Sequence, residues 1–560
     1  MTTTTVSQQH GSGIQTGSML HDDERAAGRT TLVLSVLIFG LLLVLLIGFP
    51  LHVNFDVAFL LDTGNRILDG QLPYVDIFEV NLPVIFYVNA LPVWISRSTG
   101  TNPIPVYNLL VFLLTLYSAT MVDRAIAVHR ITAQKLLDRR MVPILYGAFS
   151  SLALSTSWGQ REHLLILILI PWLLVRWLRL SDTGLSRWLS LLLGVFAGIA
   201  FMLKPHYVFA VILPEVILVF RARTLRVYRQ PEILGAALVA LVYVAYVLVY
   251  PQIVGAYLNE IIPFAARAYD ALGRFTLQEQ FSQDSEMWGW VLIATAAFLV
   301  SGFWRKNAAV AQLFAAASLG SIIGYIWQGK GWSHHQLPAE ALTIWLVYII
   351  CLLARQSQVL RIVAEKPLFA VNRLLVVFAC VTLLMLGSNL FIRVSKPYDW
   401  GNIALIRAIE RYVPGDGGVL MLDPLLYHVY PTIVQAGHWQ ALHRYQTAGS
   451  IEMGYYQADI THIYDRDHVP PPFVQDFLAE VLRALEQPAT RLVIVRDGVS
   501  EFASYQVDTF RYLMARPAIA QLLECGYIYT ETIENARFYL RRETTAGECR
   551  AGTAGIVAYS

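Results

Sequence analysis

From Thr31 onward the chain divides into long apolar runs separated by short polar turns. The first run, Thr31 to Leu51, is long enough to cross the roughly 30 Å hydrocarbon core of a bilayer as a helix. No small-residue cleavage site follows a short apolar core, so this run reads as a retained span and not as a signal peptide. Ten more runs follow near residues 104–122, 143–157, 163–178, 189–203, 206–221, 233–251, 288–304, 308–326, 337–354 and 374–393, which predicts eleven transmembrane helices. The segment Pro83 to Ser96 is also apolar, but as a helix it would rise only about 21 Å. It is expected to lie at the interface or to re-enter the membrane. Residues 1–30, rich in Thr, Ser, Gln and Gly, carry no strong apolar pattern and are expected to form a disordered cytoplasmic N-terminus.

The pattern changes after residue 395. A helix over Ile403 to Tyr412 leads through Pro414-Gly415-Asp416-Gly417-Gly418 into the strand-like Val419 to Asp423. A helix around Phe473 to Glu486 precedes a second strand, Arg491 to Arg496. A helix around Tyr505 to Leu523 precedes Tyr527 to Glu531 and Ala536 to Arg541, which read as a closing hairpin. Residues 396–560 therefore predict an α/β domain with enough apolar faces to bury a core. With no Gly-rich phosphate loop and no GxSxG, this domain is expected to shape or cover a site.

Composition agrees with the hydropathy. Of 560 residues 56% are hydrophobic and 15% charged, and the mean hydropathy is +0.50. This excludes a soluble multidomain enzyme. The formal charge of +2 leaves no basic excess for nucleic acid. Basic residues are strongly asymmetric between alternate loops. One set of loops carries twenty Lys and Arg, and the other carries seven: Arg66, Arg97, Arg161, Lys204, Arg267, Arg274 and Lys330. The positive-inside rule then puts the N-terminus in the cytoplasm and, after eleven spans, the C-terminal domain outside. Cys351 and Cys380 lie in apolar runs, while Cys525 and Cys549 could bridge in an oxidising compartment.

The outward loops hold the unusual residues. The first, residues 52–103, contains Asp56, Asp62, Asp69, Asp76 and Glu79, and Val57 to Asp69 predicts a short amphipathic helix ending at Gly70. Asp56 stands out because it follows the first span closely, in a mostly apolar stretch where a carboxylate is expensive. Three very short turns carry Gly159-Gln160-Arg161-Glu162-His163, Lys204-Pro205-His206 and Gly329-Lys330-Gly331-Trp332-Ser333-His334-His335. Short turns hold their charges near the headgroup plane, where a lipid phosphate also lies. Arg161, Lys204, His206, Lys330, His334 and His335 are therefore candidate phosphate ligands, against the plainer reading of Arg161 and Lys204 as snorkelling side chains. Glu162 could be only the neutralising partner of Arg161. The adjacent His334 and His335 could also contribute to a divalent metal site, although the sequence shows no spaced third ligand. Arg66, Tyr74, Tyr257 and Trp332 are candidate substrate contacts, the aromatics by stacking on sugar faces.

Taken together, the acidic first loop with Leu68 to Pro83, the Gly-Gln-Arg-Glu-His turn, the Lys-Pro-His turn and the outward α/β tail resemble the GT-C superfamily of polytopic glycosyltransferases. The pattern is most similar to bacterial members related to protein O-mannosyltransferases and aminoarabinose transferases. The resemblance covers the first loop and the helical region, residues 31–395, and the tail only in placement. It implies an enzyme of the bacterial inner membrane that moves a sugar from a polyprenyl-phosphate donor to a glycan, lipid or protein acceptor on the outer face. It also implies that the first-loop acid, here Asp56, is the general base. The family often has a second acid directly after this Asp, where this chain has Val57, which leaves Asp76 or Glu79 as the second carboxylate. Inverting transfer needs a carboxylate for the acceptor proton, cations for the leaving phosphate and an apolar groove for the lipid. A polyprenyl-linked glycan ligase or polymerase would use the same chemistry, with Glu260, Arg267, Asp270 and Arg274 in the loop 252–287. A secondary transporter would instead place charges at the bilayer midplane in repeated halves.

Overall fold

A computed structural model describes residues 12–47, 53–132, 138–181, 183–271, 273–283, 285–300, 302, 308–356, 371–395, 403–415, 417–498 and 507–543. The helices run α1 (Ser12–Ile47), α2 (Phe55–Leu68), α3 (Val84–Thr99), α4 (Pro103–Thr132), α5 (Met141–Thr156), α6 (Arg161–Leu178), α7 (Arg187–Leu203), α8 (Val208–Ala222) and α9 (Pro231–Val249). They continue as α10 (Pro251–Ala256), α11 (Ile262–Ala271), α12 (Leu277–Gln283), α13 (Ser285–Val300), α14 (Ala309–Gln328) and α15 (Ser333–Gln356), followed by a helix over Val371–Ser395.

Among the described residues, seven segments are long and apolar enough to cross a membrane: Gly28–Ile47, Pro103–Val128, Arg161–Ser181, Pro205–Ala222, Pro231–Val249, Ala309–Gln328 and Ser333–Leu353. The other four expected spans fall on shorter apolar helices, Met141–Leu154, Arg187–Leu203, Met287–Val300 and Val376–Ile392. Turns shorten two of them, since α5 closes on Ser157 and α7 turns into extended backbone at Lys204. The apolar run Pro83 to Ser96 forms α3, a 16-residue helix closed by Gly100 in the left-handed region. Tyr87, Leu91 and Trp94 face outward from it. The N-terminal expectation needs correction, because α1 already begins at Ser12. The helix-favouring residues Glu24 to Ala27 lie directly before the span and continue it backward.

Helix α6 is the centre of the bundle. Almost all of its side chains from Arg161 to Arg176 are buried, as expected of a helix that is apolar all round. It is surrounded by α4, α7, α14 and α15.

The C-terminal region holds a four-stranded sheet of β1 (Gly418–Leu422), β2 (Thr490–Arg496), β3 (Tyr527–Ile533) and β4 (Ala536–Arg541), in the order β1-β2-β4-β3. Strands β1 and β2 are parallel and the other pairs antiparallel. The parallel pair needs a crossover, and the helix Pro472–Glu486 lies in it. The helix expected around 505–523 is two helices, Thr509–Met514 and Pro517–Gly526. Pro517 has no N–H to continue the first but suits the opening turn of the second. Cys525 is disulfide-bonded, and Cys549 lies outside the described residues.

This region is clamped onto α2. Arg66 bonds Asp62 Oδ2 at 2.9 and 3.1 Å and reaches the His443 carbonyl at 2.6 Å. The Tyr430 hydroxyl donates to the same Asp62 oxygen at 2.7 Å. Phe78, Phe264 and Phe473 form a mutual cluster with centroids 4.6 to 5.2 Å apart, joining the first loop, α11 and the C-terminal region.

Candidate functional site

The polar turns singled out in the sequence meet at one end of α6. Asn54 caps α2, accepting from the Asp56 N–H at 2.8 Å, which fixes Asp56 in the first turn. Gln160, just before α6, donates to Asn54 Oδ1 at 2.8 Å and to Asp56 Oδ2 at 3.2 Å. Arg161 approaches the same Asp56 oxygen at 4.0 Å. The turn that presents these groups depends on Gly159, at φ +76, where an added Cβ would lie 2.4 Å from the Tyr107 ring. Tyr107 in turn donates to the Gly159 carbonyl.

Glu162 is fully buried, and its partner is not Arg161. Its Oε1 lies 2.5 Å from Lys204 Nζ and 3.5 Å from His335 Nε2. Lys204 Nζ is also 3.0 Å from His335 Nε2. The Tyr207 hydroxyl donates to the His335 carbonyl at 2.7 Å, tying the turn after α7 to the start of α15. The His206 and His334 rings lie 6.3 and 4.4 Å from the His335 ring. Trp332 flanks His335 at 5.2 Å and remains 39% exposed. Gly329 and Gly331, both at φ +61, make the tight entrance to this turn.

Glu79 belongs to the same neighbourhood, because the charges of Arg161 and Asp56 both act on its carboxyl. Burial raises its pKa, against the pull of the Asn81 backbone and side-chain N–H groups and of Arg161. The charges of Arg161, Glu79 and Asp56 also reach Tyr269 on α11. Tyr269 carried no signal in the sequence beyond being an aromatic in a polar loop.

Other expected site residues do different work. Asp76 accepts from the Leu72 N–H at 2.8 Å and closes a local turn. Arg66 is consumed by Asp62 and the C-terminal carbonyls. Tyr74 is buried with its hydroxyl on the Asn81 carbonyl, and it stacks against Tyr257 at 4.7 Å. Lys330 turns toward α11, donating to the Tyr269 and Gly273 carbonyls. Of the loop 252–287, Glu260 pairs with Arg444, and Asp270 accepts from the Tyr456 hydroxyl at 2.7 Å. These residues fasten the loop to the C-terminal region.

An apolar groove of about 870 Å³ is lined in part by residues adjacent in sequence to the cluster. Its wall includes Pro83, Tyr107, Leu164, Leu203 and Tyr246. Leu203 directly precedes Lys204, and Leu164 lies one helical turn from Arg161. The site thus holds a carboxylate that is 19% exposed and buried cations, whose neighbours Leu164 and Leu203 line an apolar groove. No protein-family model and no curated protein matches this chain.

Proposed function

We propose that this protein is a membrane glycosyltransferase of the GT-C type, which transfers a sugar with inversion from a polyprenyl-phosphate donor to an acceptor hydroxyl on the extracytoplasmic face. The observation that carries this reading is the apolar groove whose wall includes Leu203, the residue before Lys204, and Leu164, one helical turn from Arg161. A polyprenyl chain fits a long apolar channel, and its phosphate would then meet the two cations. Asp56, held by Gln160 and still partly exposed, takes the proton of the acceptor hydroxyl as its oxygen attacks the anomeric carbon. The lipid phosphate leaves toward Arg161 and Lys204. Glu79 serves as a second carboxylate that adjusts the field on Asp56 and Arg161.

The basic asymmetry supports eleven spans with the N-terminus cytoplasmic and the α/β tail outside, and the resemblance to the GT-C superfamily implies a bacterial inner membrane. The disulfide at Cys525 suits an oxidising compartment. A reporter fused after Ser560 tests this orientation, and cytoplasmic reporter activity removes it.

The activity is tested with purified protein in nanodiscs, offered polyprenyl-phosphate sugars and nucleotide sugars side by side. Transfer only from the lipid donor is expected, and an Ala200→Trp variant that fills the groove should lose it. Transfer from a nucleotide sugar, or full activity in the filled variant, overturns the reading.

A further inference from the structure

The cluster at the head of α6 contains more ligand atoms than the ion pairs use. Glu162, His334 and His335 each offer a ligand atom, and these atoms lie within 4.8 Å of one another. All three side chains are buried. Glu162 Oε2, His334 Nε2 and His335 Nδ1 have no hydrogen-bond partner among the described residues. Buried polar atoms are costly to leave unmade. The Lys204 ammonium can only donate to His335 Nε2, so Nε2 is the acceptor of that ring and becomes a free lone pair, beside the Glu162 carboxylate and His334, once the ammonium moves away.

We infer that Glu162, His334 and His335 form a binding site for a divalent transition-metal ion of the zinc class. The donor set decides the class. Two imidazoles and one carboxylate suit Zn²⁺ and its neighbours, whereas Mg²⁺ and Ca²⁺ prefer all-oxygen shells. Three protein ligands with a further position open is the arrangement of sites that also bind an exogenous oxygen. Ligands of a tetrahedral Zn²⁺ at about 2.0–2.1 Å are about 3.3 Å apart, so atoms that lie within 4.8 Å of one another have to close by no more than about 1.5 Å.

Lys204 is the resident competitor. Its ammonium sits 2.5 Å from Glu162 Oε1 and 3.0 Å from His335 Nε2, close to where the metal would be held. Lysine and metal are therefore alternative cations for one buried carboxylate. Metal binding would displace Lys204 and leave its ammonium available to an anion.

The test needs no turnover, so its failure is distinct from failure of the transferase reading. EDTA-stripped full-length protein is titrated with Zn²⁺ by calorimetry, with Mg²⁺ as the control, and bound zinc is counted by mass spectrometry. One Zn²⁺ per chain is expected, with binding weakened about 100-fold or more in His334→Ala and no comparable Mg²⁺ binding. Lys204→Met should bind Zn²⁺ about tenfold more tightly, because the competing charge is gone. Its unfolding temperature, lowered in the stripped state, should recover when Zn²⁺ is added. Absence of stoichiometric zinc in the natural sequence, or equal affinity in His334→Ala, overturns the site. Unchanged affinity in a folded Lys204→Met overturns the competition. If that variant does not fold, the His334→Ala comparison still decides.

Discussion

The two ends of α6 are both ionic and both buried, and they are built on opposite principles. At the C-terminal end, Arg176 makes a bidentate pair with Glu215 at 2.8 Å, reaches Glu232 at 3.2 Å and donates to the Val227 carbonyl at 2.8 Å. Arg179 completes the network on Glu232 at 2.8 Å. At the N-terminal end, about 22 Å away along the axis, Arg161 stands 4.0 Å from Asp56, and its buried Nε has no partner among the described residues. One cluster is saturated and the other has unused valences. A buried charge with every donor satisfied holds helices together, whereas one left open is stable only if something else completes it.

This contrast gives its sharpest test at Asp56. Asp56→Asn keeps the shape and the Gln160 contact but removes the proton acceptor, so turnover should fall by about 10² to 10⁴ while donor binding and thermal unfolding stay near those of the parent. Comparison with Asp76→Asn in a transfer assay checks the assignment, since loss in the second and near-normal turnover in the first would move the base to Asp76.

The saturated end should respond in the opposite way. Arg176→Ala strands Glu215 and Glu232 beside a single remaining arginine, and it should cost about 3–5 kcal/mol of stability. Denaturation in detergent would read this out, and a change of less than about 1 kcal/mol would erase the distinction between the two ends.

Arg161→Ala should move stability far less than Arg176→Ala does. A charge-assisted bond to phosphate is worth about 1.5–3 kcal/mol, so donor affinity should drop by about one to two powers of ten, measured as direct binding of the lipid donor. Unchanged donor affinity would leave Arg161 as a snorkelling residue.

The smallest effect is expected at Glu79. Burial raises its pKa above the ordinary value of 4.5, so in the folded state it keeps a proton that the unfolded chain has already lost. Its contribution to stability is complete below about pH 4.5 and declines as pH rises through the folded value. Glu79→Gln should flatten the unfolding temperature across that window. An unaltered slope would mean that other groups set the pH dependence.

Much of the framework was readable from hydropathy and spacing. Runs of apolar residues located the helices, and the strands of the C-terminal sheet lie close to where Val419 to Asp423, Arg491 to Arg496 and the closing hairpin predicted them. The short turns also marked Arg161, Lys204 and His335 as one group, because three turns at one membrane depth can hardly keep their charges apart. Helix ends were less legible. Glu24 to Ala27 extend α1 toward the N-terminus, and Pro517 divides a helix that periodicity would draw as continuous.

The partners were decided only by the tertiary structure. Glu162 follows Arg161 in sequence, yet consecutive helical residues do not face each other, and Glu162 turns to Lys204 and His335 instead. The spaced carboxylate missing beside His334 and His335 is supplied from α6. Asp76 and Glu79 are three residues apart and look equivalent in the chain, but a local turn absorbs the first while the second meets the charges of Asp56 and Arg161. Sequence sets which residues can be charged at a given depth. Packing of α2, α6 and α15 decides which charges touch, because contacts between distant segments depend on helix rotation and crossing, and local spacing does not encode these.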